Sequence, residues 1–186
     1  MTLFCQHRVN DPATLRDLPT HLGVEIDLRS WGDDLHLEHD AFVRGPSFDD
    51  WLAEYRHAFI VVNIKEEGLE ERIAGRLAAH GVEDWAFLDQ SFPFLVRRLR
   101  SGATNAMVRL SEFERVETAL ALEPRPDWVW LDSFTGAYPD AEDVRRLADH
   151  GYRFMIVSPE LQGRPIEHEI PVVRDLFDRA GVALDG

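Results

Sequence analysis

Short β-branched or aromatic runs alternate with capped amphipathic stretches along the whole chain. This rhythm constrains the fold more than any other feature. Residues 3–8, 24–29, 59–65, 85–89, 105–110, 128–134, 153–158 and 182–185 read as strands. The run Phe-Ile-Val-Val-Asn-Ile-Lys at 59–65 is of the kind buried on both faces of a parallel sheet. Helices are expected over 13–22, 47–56, 67–80, 93–100, 111–122 and 140–150, with a last one inside 168–180 that starts there or at Pro171. Ser47 offers an N-cap, Ser111-Glu112-Phe113-Glu114 a capping box, and Gly81, Gly151 and Gly181 mark helix stops. Residues 35–39 follow a Gly32-Asp33-Asp34 turn, so they extend the second strand or pair with it locally.

Strands and helices in near-strict alternation mean a parallel sheet with helices on its faces. A (β/α)8 barrel and an open doubly wound sheet both satisfy the pattern. The chain has 186 residues, short against the roughly 250 of a typical barrel, and no helix follows the eighth strand. The expected fold is therefore α/β, a small (β/α)8 TIM-type barrel, minimal or incompletely closed at its C-terminal end. It is expected to form one domain over residues 1–186, with the open sheet as the alternative.

Charge narrows the function. Lys and Arg total 20 against 34 Asp and Glu, a net charge of −14. That argues against nucleic acid and anionic membranes, whose phosphates need a basic face. Cys5 is the sole cysteine, so no internal disulfide can form and the fold does not depend on an oxidising compartment. No apolar run approaches the roughly 18 residues of a membrane span, and the first residues lack the basic and apolar regions of a signal peptide. A cytoplasmic protein with no transmembrane segment is expected, and the oligomeric state stays open.

In parallel α/β folds the chemistry collects at the carboxyl ends of the strands. The polar residues expected there are His7 and Arg8, Glu25 and Asp27, His39 and Asp40, Asn63 and Lys65, Asp89, Arg109, Asp132 and Ser158. Glu25 and Asp27 are two apart, so they share a strand face, as hard-cation ligands would. The more common meaning of a lone Glu-x-Asp is a half-exposed strand face. Two histidines on neighbouring segments can act as acid and base near neutral pH. Arg109 and Asp132 suit either a substrate contact or a structural ion pair. His36 and His39 differ in parity, so only one of them should reach the site. Trp31 and Trp130 are the tryptophans best placed to touch a ligand, and the polar loop 158–164 should line the mouth.

Taken together, His7-Arg8, Gly23-Val24-Glu25-Ile26-Asp27, the Leu35–Asp40 segment and Asn63-Ile64-Lys65 resemble the glycerophosphodiester phosphodiesterase family. That family groups with the phosphatidylinositol-specific phospholipase C-like barrels. The motif match covers residues 3–65, and the rest matches mainly in its rhythm. The resemblance implies that His7 and His39 are the acid/base pair, Arg8 binds the phosphate, Glu25 and Asp27 ligate a divalent cation (Mg²⁺ or Ca²⁺), and Lys65 stabilises developing charge. The substrate it implies is a small phosphodiester.

Two positions depart from the family pattern. Val9 stands where a glycine usually follows His-Arg, and Asn63 stands where a third carboxylate is expected two residues before the lysine. An amide oxygen can still coordinate a hard cation, with less charge behind it. Water or a hydroxyl of the substrate could be the attacking group, so hydrolase and lyase both stand. The second class of function is a phospho-ligand-binding barrel without turnover, and the third an unrelated small α/β enzyme.

Overall fold

The computed structural model describes residues 2–186. They form two compact units, Leu3–Leu95, and Thr2 with Val96–Gly186.

The first unit runs β1 (Cys5–Gln6), α1 (Pro12–Asp17), β2 (Gly23–Trp31), β3 (Asp34–Leu37), α2 (Phe48–Glu54), β4 (Phe59–Ile64), α3 (Glu70–Ala79) and β5 (Trp85–Leu88). Its sheet is ordered β1-β2-β4-β5 with parallel pairing throughout, and β3 folds back antiparallel on β2. The 35–39 segment thus takes its local-pairing option. β2 is buried over its first six residues and β4 over its whole length, as the apolar run at 59–65 requires. Ser47 caps α2 by accepting from Asp50 N at 3.4 Å. Helix α1 stops at Asp17, well short of 22, because Leu18 precedes Pro19 and is extended at ψ 142°.

One glycine is demanded by close approach. A Cβ on Gly45 would lie 1.9 Å from the Leu37 carbonyl oxygen. Only glycine lets the chain after β3 return against that strand, where Leu37 N donates to Pro46 O at 2.9 Å.

Helix α4 (Phe92–Arg100) leads to β6 (Met107–Leu110), α5 (Val116–Leu120), β7 (Trp128–Leu131), α6 (Ala141–Asp149), β8 (Arg153–Ile156), a 3-10 turn at Pro159–Gln162, and α7 (Ile166–Ala180). This sheet is parallel, ordered β6-β7-β8. The helix expected from 111 forms only from Val116. The Ser111 box closes as an isolated turn, with Glu114 N donating to Ser111 Oγ at 3.3 Å, and the extended Arg115 separates it from α5. Residues 182–185 are not a strand. Gly186 alone exchanges backbone bonds with Phe154 and Ile156, both at 2.9 Å, too little for a ladder. Helix α7 starts at Ile166 and tolerates Pro171 in its second turn, at the loss of one backbone bond.

The α/β order expected from the alternation is therefore present. The strand ladders make one five-stranded and one three-stranded sheet, so no single ring of hydrogen bonds runs through them. Among the described residues no helix is long and apolar enough to cross a membrane.

Candidate active site

The site is built on β2. Glu25 and Asp27 alternate with the core residues Val24, Ile26 and Leu28, so both carboxylates emerge on the opposite face, each only 1% exposed. Parallel register sets Asp27 beside Asn63 of β4, and Lys65 follows at the end of that strand. His7 and Arg8 leave the end of β1, which pairs with β2 on its other side.

Arg8 turns the chain onto the carboxylates. Its φ is +56°, a left-handed conformation uncommon outside glycine, and strain of this kind concentrates at functional positions. The turn aims Arg8 N at Glu25 Oε2, 2.8 Å away, while Arg8 Nε stands 3.7 Å from Asp27 Oδ2. Val9 does not need the missing glycine. It is fully buried, its N–H donates to Glu25 O at 2.8 Å, and its carbonyl accepts the buried Trp51 indole at 2.9 Å.

The two carboxylates differ in their partners. Asp27 is saturated: Lys65 Nζ lies 3.1 Å from Oδ1, and Asn10 Nδ2 donates to Oδ2 at 2.9 Å while Asn10 Oδ1 accepts Asp27 N at 2.9 Å. Glu25 is half satisfied. Its Oε2 takes the Arg8 amide and stands 3.5 Å from His7 Nε2, whereas Oε1 is buried without a hydrogen-bond partner. Burial, then the neighbouring Asp27 charge, push the Glu25 carboxyl up to about 7, against the Arg8 amide, the Asn63 side chain and Lys65. Burial also holds the His7 imidazole below its ordinary value, helped by the Arg8 and Lys65 charges, so its neutral form is favoured.

His39 lies just beyond β3, where Glu38 N donates to Asp27 O at 3.0 Å. Its side chain is substantially exposed, and its Nδ1 is 2.8 Å from Asp40 Oδ1. That bond holds the Asp40 carboxyl below the usual range. His36 is buried with Nδ1 2.8 Å from Gly45 O, so of the two it is the packing histidine.

Sequence reasoning missed two supports. Asn10 sits in an irregular loop whose partner is far along the chain, so no spacing reveals it. Arg29 was legible by parity, since it shares the face of Glu25 and Asp27. Its guanidinium donates to His39 O at 2.9 and 3.2 Å and to Lys65 O at 3.4 Å, tying the two segments together.

Arg109 and Asp132 belong to the second unit, where they form an ion pair with each other. Asp132 Oδ1 also accepts Ser133 N at 2.8 Å and Gln162 Nε2 at 3.1 Å, so the polar loop packs onto the end of β7. Trp130 is buried within β7, while Trp31 is exposed at the tip of the β2–β3 hairpin.

The donor set suits a hard cation. Glu25 Oε1 and Asn63 Oδ1 are buried oxygens without partners, and Asp27 lies beside Asn63 in the register. Among the described residues no three His, Cys, Asp or Glu side chains gather as a metal group, and Asn63 stands beside Asp27 where the resemblance implies a third carboxylate.

No family model and no curated protein sequence matches the chain. Its fold does have solved counterparts. A protein from Agrobacterium tumefaciens strain C58 assigned as a glycerophosphoryl diester phosphodiesterase superposes with a TM-score of 0.65 at 15% identity, covering 84% of both chains. A glycerophosphodiester phosphodiesterase from the same strain gives 0.62 at 16% identity, covering 84% of this chain and 85% of the other. The chain has the small α/β-barrel fold of glycerophosphodiester phosphodiesterase-like proteins.

Proposed function

We propose that the protein is a phosphoric diester hydrolase of the glycerophosphodiester phosphodiesterase type, acting on a small phosphodiester. The observation that carries this reading is the meeting of His7, Arg8, Glu25, Asp27, Asn63 and Lys65 where the carboxyl ends of β1 and β4 flank the carboxylate-bearing stretch of β2.

Cleavage needs positive charge against the non-bridging oxygens, a base for the attacking hydroxyl and an acid for the leaving alkoxide. Arg8 and Lys65 provide the charge from opposite sides of Asp27. His7, kept neutral by burial, is the base, and the imidazolium it becomes is stabilised by Glu25 at 3.5 Å. His39 is the acid, with Asp40 fixing Nδ1 so that Nε2 is left to face the substrate. The pair serves attack by water or by a substrate hydroxyl equally. Glu25, Asp27 and Asn63 would hold a divalent cation, Mg²⁺ or Ca²⁺, which when bound supplies further positive charge against the phosphate.

The test is turnover of bis(p-nitrophenyl) phosphate and glycerophosphocholine with Mg²⁺ or Ca²⁺ and with chelator. Cation-dependent release of alcohol is expected. Tight binding of the diester with no turnover under any condition would replace the enzyme with a binding barrel.

A further inference from the structure

Beside the site lies a groove of about 560 Å³ that the reaction above does not use. Trp31, Ala41, Phe42 and Val43 form its apolar wall, with Arg29 and Glu66 at its polar side. Its size is that of a small-molecule subsite. Phe42 is 98% exposed, Val43 49% and Trp31 43%, so three large apolar side chains stand open together. Phe42 is also held at φ +65°, a conformation a bulky residue adopts only against a steric cost. Isolated exposed apolar residues need no explanation, but a contiguous set around a concavity does.

Three observations say what the groove faces. Along β2, Glu25, Asp27, Arg29 and Trp31 share one parity, so the groove continues the strand face that carries the carboxylates. Arg29 borders it while its guanidinium holds the carbonyls of His39 and Lys65, so the groove and the acid/base segment rest on one side chain. Arg29 and Glu66 are paired at 3.6 Å, and Glu66 also accepts Ser30 Oγ at 2.5 Å, leaving the lining without net charge. An uncharged, apolar group fits such a lining, and a second anionic group does not.

We infer that this groove binds a hydrocarbon substituent of the phosphodiester, making the preferred substrate an amphiphile with a single chain. The inference rests on the phosphodiesterase reading above. Phe42 and Trp31 then set specificity, and the polar diester alone is the poorer substrate.

The probes are glycerophosphocholine and its 1-acyl derivatives from butanoyl to decanoyl, each below its critical micelle concentration. A buried methylene is worth up to about fourfold, so kcat/KM should rise at least tenfold from the unacylated diester to the octanoyl one. In Trp31→Ser/Phe42→Ser that ratio should fall to within about threefold of one. A flat series in the wild type, or an unchanged ratio in the variant, overturns the inference. Should no diester be cleaved, the enzyme reading fails separately. The groove is then judged by calorimetry with alkylphosphocholines of rising chain length, where the same slope, lost in the variant, supports it and equal affinities overturn it. Self-association of the wild type that the double variant abolishes, together with a flat series, would make the groove a contact between copies and also overturn it.

Discussion

Lys65 Nζ stands 3.1 Å from Asp27 Oδ1, and that buried carboxylate depends on it for charge. Arg8 is farther, at 3.7 Å, and half exposed. Breaking a buried pair from one side leaves an uncompensated charge. Lys65→Met should therefore lose about 2–3 kcal/mol of stability as well as activity. Lys65→Arg should recover most of the stability. Urea unfolding of the two variants measures this, and equal stability for Met and Arg would contradict it.

Glu25 predicts a pH dependence. Its folded pKa, about 7, lies above the ordinary 4.5, so the folded protein binds the proton more tightly than the unfolded chain. Stability from this group is therefore present at low pH and is lost as pH rises from about 4.5 to 7. His7 slopes the other way near its ordinary 6.5, because its neutral form is favoured in the fold. Comparison with Glu25→Gln isolates the carboxylate. In chelator the variant should be more stable than wild type at pH 8 by on the order of 2 kcal/mol, and no more stable at pH 5. Parallel pH curves for the two proteins would rule this out.

In the proposed reaction the two histidines divide the proton transfers. His7→Ala and His39→Ala should each reduce turnover by about 10²–10⁴-fold, and far-UV circular dichroism should stay native. The rise of activity on the acid side should follow His7, below its ordinary value. More than a tenth of wild-type activity in both variants would remove them from these roles.

Asn63 Oδ1 is buried with no partner beside Asp27. Asn63→Asp adds a charge to that donor set, so Mg²⁺ or Ca²⁺ affinity should rise, since ligand charge helps set affinity in hard-cation sites. Without cation the variant should be less stable at pH 8, because three carboxylates then crowd together. Calorimetric titration of both proteins decides, and weaker or equal binding by the variant defeats it.

Legibility followed periodicity. Glu25 and Asp27 could be read because a period of two separates them from Val24, Ile26 and Leu28, and Asn63 and Lys65 because β4 is an unbroken apolar run around them. Local chemistry was less secure. The Ser111 box formed its own bonds yet started no helix, since the apolar anchors Val116 and Ala119 come only after the extended Arg115. Asn10 could not be read at all, because its two bonds to Asp27 cross an irregular loop. Arg29 carried the right parity, but its task is set by backbone carbonyls that a sequence does not display.

The position of β2 has a consequence for how the molecule opens. It pairs with β1, β3 and β4 at once, so its amides should be among the last in their unit to exchange with solvent. Fraying cannot relieve two carboxylates mounted on such a strand. Their repulsion weighs on the cooperative unfolding of the whole Leu3–Leu95 unit, and any ligand that neutralises them tightens that unit throughout, far from where it binds.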